Sequence, residues 1–183
     1  MTSLLRRFWQ DTRAAVAFEA VIIMPILAWG FLSSFIFFDA FRVYNSSIKA
    51  TYAVADVLSR QTNTVTENDI EGLLTVFKHL VRDSGASRMR VTQIMWNGTR
   101  YCVDWSYATD GESRLFHSSM AEIEDALPVM AVSERIVLVE TFVPYDPAFD
   151  TGLTLLNFNN FTFTRPRYAG QVPFETPYNA ACN

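Results

Sequence analysis

From Ala20 to Phe38 the chain runs 19 residues without a charge, AVIIMPILAWGFLSSFIFF. A helix rises about 1.5 Å per residue, so about 20 apolar residues cross the ~30 Å hydrocarbon core of a bilayer. The pattern therefore predicts a transmembrane helix over residues 15–38, with Pro25 inside it. Past Asp39 the apolar residues thin into one stripe, Ala40, Val43, Tyr44, Ile48, Thr51, Tyr52, Ala55 and Leu58, at spacings of three and four. That spacing predicts a helical extension over 39–61 with one buried face. Thr66-x-x-Asp69 then reads as a capping box ahead of an amphipathic helix carrying Ile70, Leu73, Leu74, Phe77, Leu80 and Val81, ending near Ser84-Gly85. Four runs read as strands: Arg90–Trp96, Arg100–Ser106, Glu134–Val143 and Asn160–Arg165. Asn97-Gly98 predicts a type I′ hairpin between the first two, a turn that needs positive φ at both central residues. Ser118–Leu127 reads as a short helix stopped by Pro128. Residues 62–183 are thus expected to form an α+β domain with an antiparallel sheet of about four strands and two shorter helices.

Charge orients these elements. Arg6, Arg7 and Arg13 precede the apolar run, and the segment just after it offers Asp39 and Arg42. An excess of Lys and Arg marks the cytoplasmic side, so residues 1–14 are expected inside and the C-terminal domain outside. A cleaved signal peptide has a shorter apolar core and a small-x-small site, which Phe37-Phe38-Asp39-Ala40-Phe41-Arg42 does not supply. Residues 1–38 contain three arginines and two acids, so the remainder carries twelve basic and 17 acidic residues. That balance argues against a general nucleic-acid binder, which needs a basic face to displace counterions. At 50% apolar and 14% aromatic residues over 183 positions, the chain has material for one anchor and one ordinary core.

Glu19 is the one charge between Arg13 and Asp39. An acid at mid-membrane costs about 2.5–3.5 kcal/mol, less near an interface. It can snorkel to the headgroups, or it can pair with a cation from a neighbouring chain. Its surroundings, Arg13-Ala14-Ala15-Val16-Ala17-Phe18-Glu19 ahead of the apolar helix, resemble the start of type IV prepilins. They resemble more closely the TadE/TadG-like proteins of tight-adherence (Tad, Flp-type) pilus systems. The stretches Phe37–Arg42, Ala55–Arg60, Val139–Phe142 and Phe161–Arg167 are similar to extracytoplasmic regions of such proteins. The resemblance implies a pilin-like head, a non-enzymatic minor-pilin role in adhesion, and partners among inner-membrane lipid, other pilins and a prepilin peptidase. It places Ala14 and Ala15 at the leader cleavage site, although Ala14 stands where the family has Gly. It gives Glu19 the work of registering subunits against a neighbour's new amino terminus; with the leader uncut, Arg13 is the weaker partner.

Other candidate chemistry is sparse. Cys102 and Cys182 would both lie in an oxidising compartment, where they either pair or stay as free thiols; no CxxC spacing is present. Asp150-Thr151-Gly152 matches an aspartic-protease triplet, but those enzymes need two such carboxylates, and the stretch reads as a loop. His79 and His117 have no zinc-ligand spacing, and no nucleotide or nucleophile motif appears, so no metal, cofactor or small-molecule substrate is expected. Trp96, Tyr101, Trp105 and Tyr107 either present an aromatic binding face or pack a core. Asn45, Asn97 and Asn160 fit the glycosylation acceptor pattern, which is coincidental in a bacterial chain. Two rival functions remain: a membrane-anchored envelope-binding or sensory domain unrelated to pili, and an anchored hydrolase using Asp150.

Overall fold

The computed structural model of the chain describes residues 12–82, 86–149, 152 and 154–176. Two compact units divide it between Phe41 and Arg42, with the Pro147–Thr154 loop grouped in the first. In the first unit, helix α1 (Thr12–Ser59) begins as an all-round apolar rod. Val16, Phe18, Val21, Met24, Ile26, Leu27, Trp29 and Phe31 are all exposed. A soluble helix hides such residues on one face, so a rod that shows them all around is suited to an apolar surround. Among the described residues this is the one helix long and apolar enough to cross a membrane. Pro25 lies within it and has no N–H to give the carbonyl one turn back.

The second unit takes in the last turns of α1 and builds an α+β domain. Helix α2 (Glu67–Val81) is opened by the expected capping box, in which Thr66 and Asp69 satisfy each other's backbone N–H. It stops at Arg82, whose backbone is left-handed at φ 62°. The expected Ser84-Gly85 end falls outside the described residues. Strands β1 (Arg88–Trp96), β2 (Tyr101–Ala108), β3 (Arg135–Tyr145) and β4 (Leu156–Thr164) form one antiparallel sheet in the order β2-β1-β3-β4. All four lie where the sequence predicts strands, the Trp96 end unchanged and the other ends shifted by one to four residues.

Each face of the sheet carries a layer. Met89, Val91, Trp105, Val137, Val139 and Val143 pack with Ala50, Val54, Ala55 and Leu58 of α1 and with Ile70, Leu74 and Phe77 of α2. Ile94, Val103, Ile136 and Leu138 pack on the other side with Leu115, Met120 and Met130. The segment supplying that second layer is not the α-helix expected over Ser118–Leu127. It is two 3-10 pieces, His117–Glu122 and Glu124–Ala126, separated by Ile123. Neither has a side-chain N-cap, and short apolar spacing alone does not distinguish the two helix types.

Two further expectations are corrected. The β1–β2 connection is a four-residue loop, since Trp96 pairs with Tyr101. Only Gly98 has positive φ there; Asn97 instead accepts bonds from the Thr99 and Arg100 N–H groups through its side-chain oxygen. An Asx turn replaced the type I′ turn because the asparagine side chain supplies the bonds locally. On α1, Tyr44 and Tyr52 lie outside the buried stripe at 40% and 60% exposed, while the unforeseen Ser47 and Ala50 are in it. From Ser47 to Ala55 the buried positions are Ser47, Ala50, Thr51, Val54 and Ala55, none larger than valine.

Candidate interaction sites

Helix α1 is fixed to the sheet by hydroxyls and an amide. Thr141 and Asn160 are opposite each other on β3 and β4. They reach two α1 residues one turn apart: Asn160 Nδ2 donates to Ser47 Oγ at 2.8 Å, and Thr141 Oγ1 lies 2.7 Å from Thr51 Oγ1. Thr51 gives its own proton to the Ser47 carbonyl at 2.8 Å. A hydroxyl has one proton, so Thr141 must be the donor to Thr51. Thr51 and Thr141 are both buried, as is Ser47.

A second polar node sits on a β-bulge. The β1–β2 register slips between Gln93 and Ile94, leaving Asp104 as the extra residue. The slip turns Trp105 toward the helices and Val103 toward the opposite layer. The Asp104 carboxylate accepts from Gln93 Nε2 (2.9 Å) and Arg135 Nε (2.8 Å). Gln93 Oε1 in turn accepts the Val172 N–H at 2.7 Å, and the Val172 carbonyl accepts Trp105 Nε1 at 2.9 Å. Phe174 stacks on Trp105 with ring centroids 4.6 Å apart. Val65 bridges to Phe174, so the segment after β4 is stitched to the sheet and to the loop before α2. The four hairpin aromatics therefore do not form one face. Trp105 is core, Trp96 and Tyr101 pack against each other as tilted rings with centroids 4.5 Å apart, and Tyr107 bonds Glu71 at 3.0 Å. Burial and the Glu71 hydrogen bond push the Tyr107 hydroxyl up to about 12.

On the layer opposite the helices, Arg90 makes a two-point contact with Glu140 at 2.6 and 2.7 Å. The Glu140 carboxylate raises the Arg90 pKa further above its ordinary value. The Arg90 guanidinium lies over the Phe142 ring, 5.7 Å from its centroid.

Glu19 lies exposed in the apolar half of α1, and among the described residues no side chain bonds to it. Ala14 and Ala15 fall in helical backbone at the start of α1. Cys102 is buried in β2 and disulfide-bonded; Cys182 lies outside the described residues. Asp150 lies outside them too, and Gly152 of the same triplet has φ +95°. His79 is exposed in the last turn of α2, and His117 Nδ1 accepts the Val103 N–H at 3.1 Å. Among the described residues no three His, Cys, Asp or Glu side chains group as a metal site. Asn160 and Asn97 are both engaged in bonds within the fold. Comparison of the chain with protein-family profiles, curated proteins and solved structures finds no match.

The sequence contained a signal for the bulge node only in retrospect. Gln93 and Asp104 are polar residues inside otherwise apolar strands, and such residues are retained where their bonds are satisfied.

Proposed function

We propose that this chain is a membrane-anchored, minor-pilin-like subunit of a tight-adherence pilus system, working by contact rather than catalysis. In this reading residues 15–38 of α1 span the inner membrane with the N-terminus cytoplasmic. The α+β unit stands in the periplasm or outside the cell as a pilin-like head. The observation that carries the reading is Glu19: a lone acid, five residues beyond Ala14, on a helix whose surrounding side chains are apolar and exposed. An unpaired carboxylate at that depth is costly, and a cation from an adjacent subunit offsets the cost. If a prepilin peptidase removes the leader, the new amine at Ala15 is that cation. The continuity of α1 from the apolar run to Ser59 supports the same reading, since one helix both anchors and joins the head's core.

Intact-mass measurement of membrane-extracted protein, with and without a prepilin peptidase, tests the class. A mass beginning at Ala15 supports a processed pilin. A mass retaining the leader in both samples removes the amine from the mechanism and leaves Arg13 as the only near cation. The rival tether reading, an anchored envelope-binding or sensory domain, requires no contact at Glu19 at all.

A further inference from the structure

The two edges of the sheet are treated differently. At the β2 edge a bulge interrupts the register, and the Leu115–Glu122 stretch lies alongside. The Val103 N–H is taken by His117 Nδ1 and the Ser106 hydroxyl accepts the Leu115 N–H. Five consecutive residues of β2 are buried. At the other edge, β4 pairs with β3 in unbroken register over nine residues and has a single buried residue, Thr162. Among the described residues no backbone group of 156–164 is bonded outside the β3 ladder. Natural proteins blunt an open edge with lysine, proline, a bulge or a covering segment. Leu-Asn-Phe-Asn-Asn-Phe-Thr-Phe-Thr has none of these.

The surroundings of β4 suit an added strand. A groove of about 220 Å³ runs between it and α1, lined by Tyr44, Ile48, Tyr52, Asn160 and Thr162 among others, none of them charged. On the opposite face Phe161 and Phe163 are 55% and 41% exposed. The nearest cations past the strand, Arg165 and Arg167, are already paired with Glu134 and Asp56 of the same chain.

We infer that β4 is a strand-addition site whose occupant is β4 of a second copy of this chain, paired antiparallel about a two-fold axis. Self-pairing requires that no like charges meet, and a neutral strand in a neutral groove satisfies that without a specialised partner. The pairing supplies the missing edge hydrogen bonds and covers the exposed rings on both faces. It does not depend on the Glu19 contact, which lies in the other unit.

The test uses the full chain in detergent. Asn159→Cys, at the exposed centre of β4, should cross-link to a dimer with a short bis-maleimide, whereas Thr99→Cys in the β1–β2 loop should not. Asn159→Lys and Asn159→Glu should each lower the dimeric fraction by about tenfold, because a charge one residue from the middle of the strand is brought close to the same charge on its copy across the two-fold axis. Mixing the two should restore it. Circular dichroism of each variant checks that the head is folded. The inference is overturned if Asn159→Cys cross-links no better than Thr99→Cys. It is equally overturned if folded charge variants dimerise like the wild type, or if mixing them restores nothing. A cross-link from Asn159→Cys to a different protein in place of a second copy also overturns it.

Discussion

Replacing Thr51 with valine removes the hydroxyl that joins α1 to the sheet and leaves the Thr141 proton with nowhere to go. Thr51 accepts from Thr141 while donating to the Ser47 carbonyl, and both threonines are at most 1% exposed. An orphaned buried donor costs about 1–3 kcal/mol. Thr141→Val is the milder change, because Thr51 keeps its own acceptor and loses only an incoming bond, at about 0.5–1.5 kcal/mol. In the double variant neither hydroxyl remains, and the Ser47 carbonyl still has its ordinary helical partner. Removing both members of a pair is nearly neutral, so the double variant should lie below the sum of the singles by about 1 kcal/mol or more. The assay is denaturant unfolding of the full chain in detergent, followed by tryptophan fluorescence, with all four proteins measured together. If Thr51→Val costs no more than Thr141→Val, the proton assignment is wrong. If the two effects add, the hydroxyls are not coupled and the helix is held by packing alone.

Other outcomes follow from the same geometry. Trp105→Phe keeps the stack on Phe174 but takes the donor from the buried Val172 carbonyl, and should cost about 1–3 kcal/mol, read by the same unfolding assay. Tyr107 holds its proton more tightly folded than unfolded. Its contribution is therefore complete below pH 10 and is lost as pH rises through about 12. Comparing wild type with Tyr107→Phe at pH 9 and pH 11.5 should show the wild type losing more stability; equal losses would contradict this. Maleimide labelling of denatured, unreduced protein should find no free thiol, and two after reduction, if Cys102 and Cys182 pair as expected in an oxidising compartment. Two free thiols before reduction would rule the pairing out.

How much of this could be read from the residues alone depends on how local the cause is. The capping box at Thr66 and Asp69 is a four-residue device, and the structure forms it as read. Runs rich in β-branched and aromatic residues mark all four strands; β1, β2 and β3 are covered on both faces and so read as nearly continuous buried runs, and only the β4 stretch alternates cleanly. The bulge at Asp104 was invisible, since it depends on β1 pairing two residues of β2 against one. So was the role of Ser47, which looks polar and surface-bound until Asn160 arrives from a strand more than 100 positions later. The Val172–Phe174 segment carried no periodicity at all; its order comes from Gln93 and Trp105 side chains binding its backbone. Tyr44 and Tyr52 fit the spacing of a buried stripe, but the face that meets the sheet runs through Ser47, Ala50, Thr51 and Val54 instead.

In the pilin-like reading Glu19 is a contact between subunits rather than an accident in a tether. The most direct measurement is the recovery of surface filaments sheared from cells expressing Glu19→Ala, with the membrane level of the protein matched to wild type. The pilin-like reading predicts that the variant inserts normally and filament assembly is lost. Normal filament recovery from Glu19→Ala at matched abundance would contradict it and leave the helix as an anchor only.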